Sequence, residues 1–192
     1  ASGHKYNVVS CDRAAIDGRK VALADYSCVD LILGMQRYTP YAVQYYKTFT
    51  PAWQEMFRAY TQQGGRLLVS GSYIGSDMQN DGEQQFLSSV LQLEYHPTDS
   101  VTAEPAINGL GMTFDIGRRL NRHHYAAPHV EILHPQGQAY CAMQYADGTS
   151  AAVAYDGAAY KSFVMGFPFE CIESPATRNL LMQGIMQFLN EG

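Results

Sequence analysis

The sequence predicts an α/β fold: a three-layer sandwich with a mostly parallel central sheet, helices on both faces, and an antiparallel β-hairpin extension over residues 139–155. Short apolar runs alternate along the chain with amphipathic stretches, which is typical of α/β proteins. Two of the amphipathic stretches begin with Thr50-Pro51 and Ser174-Pro175, the residue types preferred at a helix start. Asp147-Gly148 separates two alternating runs, which indicates a hairpin turn.

The elements of the first half follow from periodicity and from helix-end signals. After Thr50, the side chains of Trp53, Phe57 and Tyr60 recur at helical spacing, and Gly64-Gly65 ends the pattern. A second helix is predicted over Gly82–Leu93, where the apolar side chains again recur at helical spacing. The predicted strands of this half are 6–10, 26–33 and 67–69.

The second half reads as strands closed by one long helix. Beyond the glycine-interrupted stretch after Pro97, the period becomes strand-like. In the last helix, the apolar residues predicted to share one face are Leu180, Leu181, Ile185, Phe188 and Leu189. The predicted strands are 112–114, 130–133, 139–145, 150–155 and 162–166.

Length and charge place limits on organisation and partners. The 192 residues show no repeat and no linker, so residues 1–192 are expected to form one domain. With 13 basic against 18 acidic residues, a net charge of −5 and no Lys/Arg cluster, a nucleic-acid partner is not expected. No apolar run reaches the length of a membrane span. Because the sequence opens without Met, we expect it to be part of a longer protein.

The four cysteines do not predict a cofactor or metal site. Cys11, Cys28, Cys141 and Cys171 have no C-x-x-C pairing and no metal-type spacing to histidine. Three of them lie in or beside apolar runs, where cysteine usually behaves as a small buried hydrophobe. We therefore expect free, buried thiols and no cofactor, while one disulfide, such as Cys11 to Cys28, stays open as the alternative.

The turn after the third predicted strand is the most informative segment. Gly71-Ser72-Tyr73-Ile74-Gly75 has the form of a nucleophile elbow, in which small flanking residues allow a sharp turn around a central nucleophile. Tyr73 occupies the central position. A phenol with a pKa of about 10 is a poor nucleophile at neutral pH unless a base or cation activates it. The pattern predicts a catalytic scaffold without its chemistry.

With this elbow and the late segment Gly166-Phe167-Pro168-Phe169-Glu170, the chain resembles the class I glutamine amidotransferase-like domains, a flavodoxin-like fold. In active members the elbow carries cysteine, and the late motif supplies histidine and glutamate. Here Tyr73 replaces the cysteine, and the late segment keeps Glu170 but has no histidine. The resemblance therefore implies a pseudoenzyme that has lost glutamine hydrolysis.

A narrower similarity joins the chain to the C-terminal modules of secreted Bacteroidetes proteins labelled xanthan lyase or golvesin-like. The segments 29–36, 67–77 and 166–170 carry it. The similarity implies an extracytoplasmic setting and a non-catalytic accessory or ligand-binding role in a carbohydrate-related protein. Such a module would pack against sister domains or offer a weak glycan-binding cleft; a purely structural spacer domain is a further alternative.

The candidate ligand-binding residues are Tyr73, Asp77 and Glu170, each of which has a structural alternative. Tyr73 can stack on a sugar or simply fill the vacated nucleophile pocket. Asp77 lies near the carboxyl ends of the strands, where open α/β sheets bind ligands, but it can instead cap free N–H groups. Glu170 can pair with Arg178 or cap nearby N–H groups.

Two enzymatic alternatives remain. Ser72 is the fallback nucleophile of a hydrolase, with His123 or His124 as a weak candidate base. The run from Arg122 to Tyr125 supplies the residue types of a polysaccharide lyase. Adjacent histidines point in different directions on a helix or strand, so no metal site is expected there.

Tyrosines concentrate between the second strand and the first helix, at Tyr38, Tyr41, Tyr45 and Tyr46. Their rings can form a stacking surface for sugar rings, or a contact with another domain or a second copy of the chain, since tyrosine is enriched at interfaces.

Overall fold

The computed structural model describes residues 6–102, 106–117 and 125–191, and within them the fold is α/β. Strands and helices are numbered separately in chain order. The strands are β1 Cys28–Gly34, β2 Arg66–Gly71, β3 Leu93–Glu94, β4 Ile107–Gly109, β5 Met112–Phe114, β6 His134–Pro135, β7 Tyr140–Tyr145, β8 Ser150–Asp156 and β9 Lys161–Met165. The helices are α1 Arg13–Asp17, α2 Pro51–Gln62, α3 Asp81–Phe86 and α4 Pro175–Asn190.

The central sheet is mixed and has, among the described residues, seven strands in the order β1-β2-β9-β8-β7-β4-β5. Strands β3 and β6 form a separate small antiparallel sheet. The expected mostly parallel sheet is not confirmed, since only β1–β2 and β2–β9 pair in parallel in the described sheet. The hairpin is confirmed, with Gly148 at φ +84°, but it is not an extension. It lies inside the sheet, because β8 pairs antiparallel with β9 and thereby reverses the direction of the following strands.

A hydrophobic core lies on each face of this sheet. Leu67 and Val69 on β2 face the core that includes Trp53 and Phe57 of α2. Leu68, between them, points to the opposite face and joins the core that includes residues of α4. Alternate residues of a strand point to opposite faces, so the continuous apolar run of β2 is that of a strand covered on both sides.

Both helix starts predicted from Ser or Thr followed by Pro are confirmed. The Thr50 hydroxyl accepts a hydrogen bond from the N–H of Trp53, and the Ser174 hydroxyl accepts one from the N–H of Thr177. The helix predicted over Gly82–Leu93 is α3 followed by a π-helical turn over Leu87–Leu91, which ends at Gln92 in a left-handed conformation.

Two predicted strands are not formed. Residues 6–10 are exposed and pair with no strand among the described residues, so their apolar character does not place them in the sheet. Residues 130–133 belong to what we call the crossing segment, residues 129–135, which passes over the carboxyl ends of the central strands. There the N–H of Glu131 donates to the carbonyl of Gly166 at 2.8 Å. A Cβ at Gly166 would lie 2.3 Å from the carbonyl oxygen of Glu131, so only glycine allows this close crossing.

All four cysteines are free, as predicted, but only Cys171 is fully buried. Cys11 is exposed, so the expectation of a buried thiol is wrong at that position. Burial and the nearby Asp30 carboxylate raise the pKa of Cys28 to about 11, which keeps it a neutral thiol. No helix within the described residues is long and apolar enough to cross a membrane.

Candidate functional site at the carboxyl edge of the sheet

The elbow turn, residues 71–77, follows β2 at the carboxyl edge of the sheet. After Gly71 the chain makes a turn over residues 74–77, and α3 begins only at Asp81. Tyr73 does not have a positive φ, so the strained strand-to-helix turn of a nucleophile elbow is not formed. Gly75 is required by packing, because a Cβ there would lie 2.4 Å from the ring of Tyr95.

The Tyr73 ring is covered by two neighbouring side chains. The Arg37 guanidinium carbon lies 4.6 Å from the ring centre. The His129 imidazole stacks at 4.7 Å with an interplanar angle of 8°. Both groups pack against the ring, so the half-buried tyrosine is partly covered by its neighbours.

Ser72 is not arranged as a nucleophile. Its side chain is buried, and its hydroxyl donates to the backbone carbonyl of His129 at 2.8 Å. A catalytic serine needs a side-chain base within hydrogen-bond reach. His129 does lie at the elbow turn, but its ring stacks on Tyr73, so Ser72 and the imidazole do not form a catalytic pair.

Glu131 holds the elbow turn in place through a buried carboxylate that is 1% exposed. Its oxygens accept hydrogen bonds from the N–H of Gly75 at 2.7 Å and from the N–H of Ser76 at 3.0 Å, and the Ser76 hydroxyl donates to it as well. The His129 Nε2 atom lies 3.7 Å away. A buried carboxylate needs such donors, because desolvation penalises the charged form.

Asp77 binds backbone groups from a distant loop. One carboxylate oxygen accepts from the N–H of Tyr38 at 2.9 Å. The other accepts from the N–H of Thr48 at 2.7 Å and from its hydroxyl at 3.1 Å. Asp77 thus ties together the two ends of residues 38–48, which we call the tyrosine loop. The interpretation that it caps N–H groups is correct, although those groups belong to this loop and not to the following turn.

The tyrosine loop presents several aromatic rings to solvent. Tyr41 is 96% exposed, while Tyr38, Tyr45 and Tyr46 are about half exposed. The rings of Tyr38 and Tyr45 contact each other, with centres 5.4 Å apart. Lys47 anchors the base of the loop through an ion pair with Glu83 at 2.8 Å and a hydrogen bond to the carbonyl of Asp77. The loop is therefore an exposed aromatic surface next to the elbow turn.

Glu170 lies beside β1 and accepts a hydrogen bond from the Tyr125 hydroxyl. Its second oxygen is buried and has no hydrogen-bond partner among the described residues. The expected pairing with Arg178 is not formed, because that guanidinium donates to the carbonyl of Ile172. Local burial, together with repulsion from Glu170, raises the pKa of Asp30 to about 6, although part of Asp30 remains exposed.

The remaining catalytic candidates fall largely outside the described residues. Arg122, His123 and His124 lie in the gap between residues 117 and 125. Tyr125, at the end of that run, is described. Burial and its hydrogen bond to Glu170 raise the pKa of its phenol above the usual range, which makes it a poorer proton donor.

His129 and Glu131 contact the elbow turn, but neither was predicted from the sequence as part of the site. Their i, i+2 spacing in an extended run places both side chains on one side of the crossing segment. That signal was available, but nothing in the sequence related this segment to the elbow turn.

A second polar cluster lies at the other end of the crossing segment. His96, Asp99 and His134 each offer one potential metal-ligand atom, and these atoms lie within 4.8 Å of one another. The Nε2 atom of His134 is 2.6 Å from a carboxylate oxygen of Asp99, and the two imidazole rings stack with centres 4.3 Å apart. The sequence analysis predicted no metal site and did not identify this set.

Comparisons with known proteins give matches among solved structures alone. No protein-family model and no curated protein matches the chain. Gan42B, a GH42 β-galactosidase, shares 12% identity over 90% of this chain, with a TM-score of 0.58. A catalytic mutant of the same enzyme from G. stearothermophilus gives 13% identity over 86% of the chain and a TM-score of 0.54. A β-galactosidase from the psychrophilic Marinomonas ef1 gives 17% identity over 88% of the chain and a TM-score of 0.45.

These similarities concern the fold alone, because the identities are so low. The chain spans 23%, 22% and 21% of the three matched chains respectively. In the two Gan42B structures, where the TM-score exceeds 0.5, a fold of this kind therefore forms a minor part of a much longer β-galactosidase chain. The amidotransferase and xanthan lyase-like resemblance remains a prediction.

Proposed function

We propose that this chain is a non-catalytic, ligand-binding accessory module of a larger, secreted, carbohydrate-related protein, with a degenerate amidotransferase-like site. One observation carries the proposal: the Ser72 hydroxyl and the carboxylates of Glu131 and Asp77 bind backbone groups, while the His129 imidazole stacks on Tyr73 instead of facing Ser72. Ser72 donates to a carbonyl, while Glu131 and Asp77 accept from backbone N–H groups. Side chains used in this way have no free base, acid or nucleophile to offer a substrate.

The structural comparisons support the modular part of the proposal. The fold matches about a quarter of a β-galactosidase chain, so a domain of this kind occurs within a larger carbohydrate-active protein. A three-layer, amidotransferase-like ancestry accounts for the glycine-flanked turn and for the late segment ending at Glu170. A secreted setting and sister domains in the parent protein complete the proposal.

The tyrosine loop is the surface that we assign to ligand binding. Tyrosine rings have apolar faces that pack against the C–H groups of a sugar, and a hydroxyl that hydrogen-bonds at the rim. Arg37 and His129 pack against the ring of Tyr73, whereas Tyr41 and Tyr45 keep exposed rings. Within the proposed cleft, Asp77 positions the loop, Tyr73 lies beside it, and Glu170 lies at the neighbouring strand end.

Affinity electrophoresis in gels containing soluble polysaccharides tests the proposal. We expect retention by at least one polysaccharide, reduced by Tyr41→Ala and by Tyr45→Ala. Tyr140→Ala is the matched control, because Tyr140 is about half exposed, like Tyr45, but lies on β7, away from the loop. Release of sugar from any of the polysaccharides, abolished by Ser72→Ala, would contradict the non-catalytic assignment. Absence of retention across the panel would favour a spacer that contacts only sister domains.

A further inference from the structure

We propose that His96, Asp99 and His134 form a binding site for a divalent transition metal of the zinc class. The site lies at the end of the crossing segment opposite the elbow turn, and it does not depend on the proposed glycan surface. Imidazole and carboxylate are ligands that zinc accepts, and three protein ligands form an open rather than a closed site.

The fold brings the three residues together in two steps. In the small sheet, Glu94 on β3 is directly opposite His134 on β6. Side chains two positions apart on an extended chain share a face, so His96 follows Glu94 on the side of His134. A turn then closes, with the N–H of Asp99 donating to the carbonyl of His96 at 3.1 Å, and returns the Asp99 carboxylate to both imidazoles.

The separations suit one shared ion. Zinc binds imidazole nitrogen and carboxylate oxygen at about 2.0–2.2 Å, so two tetrahedral ligand atoms lie about 3.4 Å apart. The observed values on either side of this are 2.6 Å from His134 Nε2 to Asp99 Oδ2 and 3.7 Å from His96 Nδ1 to the same oxygen. Displacements of under about 1 Å would bring both of these pairs to the bound distance. The two imidazole nitrogens lie within 4.8 Å of each other, and the stacked rings would have to turn for both nitrogens to face one ion.

Glu94 provides outer support for the proposed ion. The His96 Nε2 atom lies 3.5 Å from a Glu94 carboxylate oxygen, while Nδ1 faces Asp99. Metal-bound histidines usually donate their second N–H to a carboxylate or carbonyl, which fixes the ring orientation and raises ligand basicity. Glu94 is placed for this role.

The site is accessible and borders a cleft. The side chains of His96, Asp99 and His134 are 50%, 29% and 37% exposed, so an ion can enter from solvent. Asp99 and His134 also line an open cleft of about 550 Å³. The cleft also carries hydroxyl groups, from Thr98, Ser100, Thr149 and Ser150. A tetrahedral ion held by three side chains would keep its fourth position for water or for an oxygen ligand in this cleft.

Titration of chelator-treated protein with zinc, followed by calorimetry, tests the proposal. We expect one equivalent to bind, with affinity at least about 100-fold lower in His96→Ala and in His134→Ala, since each change removes one of only three protein ligands. The milder Glu94→Gln should weaken binding by about 10-fold or more, as outer-shell changes typically do. Circular dichroism of each variant confirms that it is folded; should an alanine variant not fold, Glu94→Gln carries the test.

The competing zinc ligands in this chain are controlled in two ways. The double variant His123→Ala/His124→Ala should bind zinc as tightly as the unaltered protein. Cobalt substituted for zinc should give a visible spectrum without a thiolate charge-transfer band, which excludes exposed Cys11 as a ligand. Absence of zinc binding, a thiolate band, or binding lost in the double variant but kept in His96→Ala would overturn the proposal.

Discussion

The buried carboxylate of Glu131 allows the sharpest test of how the elbow turn is held. In Glu131→Gln the amide keeps one oxygen, which can still accept from the N–H of Gly75, but it places an NH₂ group against the donors of Ser76. Two hydrogen bonds to a charged acceptor are then lost in a site that is 1% exposed. At about 1.5–2 kcal/mol each, the free energy of unfolding should fall by about 3 kcal/mol. For a domain of this size that lowers the melting temperature by about 6–12 °C.

Urea unfolding followed by circular dichroism measures this change, with thermal melts as the second readout. Glu55→Gln is the matched control, because Glu55 is exposed on α2 and makes the same chemical change at the surface. Its unfolding free energy should stay within about 0.5 kcal/mol of the unaltered protein. If Glu131→Gln were as mild as this control, the hydrogen bonds to Gly75 and Ser76 would not hold the turn, and the reasoning would fail.

Three further predictions concern other parts of the chain. The pKa of Asp30 is raised from 3.8 to about 6, so the folded state binds more protons than the unfolded state between these values and stability falls as pH rises through them. Asp30→Asn should therefore raise the melting temperature at pH 7 and leave it unchanged at pH 3, as measured by scanning fluorimetry. An equal shift of the melting temperature at the two pH values would refute the raised pKa of Asp30. Zinc at 100 times its dissociation constant should stabilise the chain by about 2.7 kcal/mol, or about 5–10 °C. The same zinc concentration should raise the melting temperature of His134→Ala by no more than about 2 °C. Gly75→Ala places a Cβ 2.4 Å from the Tyr95 ring and should lower the free energy of unfolding by about 1–3 kcal/mol. Gly82→Ala, whose Cβ would have one contact at 3.6 Å, should not lower it. Equal midpoints of urea unfolding for the two variants would contradict this packing.

Local signals in the sequence predicted most of the elements but not the direction of every strand. Thr50-Pro51, Ser174-Pro175 and Asp147-Gly148 act through their own backbone geometry, so they could be interpreted without tertiary information. The sheet is mixed because β8 pairs antiparallel with β9. An apolar strand that is covered on both faces can pair parallel or antiparallel with its neighbour, so its sequence does not fix the direction.

For a related reason, the candidate site could be predicted only in part from the sequence. The glycines around Tyr73 marked the elbow turn, and Asp77 was correctly considered as a cap. The partners of both residues come from distant segments: His129 stacks on Tyr73 from the crossing segment, and Thr48 binds Asp77 from the tyrosine loop. Likewise, His96 and His134 meet only because β3 and β6 pair, and no single window of sequence contains both.

The crossing segment connects the elbow turn to the proposed metal site. Glu131 accepts hydrogen bonds from the elbow turn, and only Ile132 and Leu133 separate it from His134. Between them, the N–H of Leu133 donates a 3.1 Å hydrogen bond to the carbonyl of Ser150, which also holds the crossing segment in place. A metal ion bound at the proposed site would therefore contact the same segment that holds the elbow turn. Any effect it had on ligand binding at the proposed glycan surface would be matched by an equal effect of that ligand on metal binding.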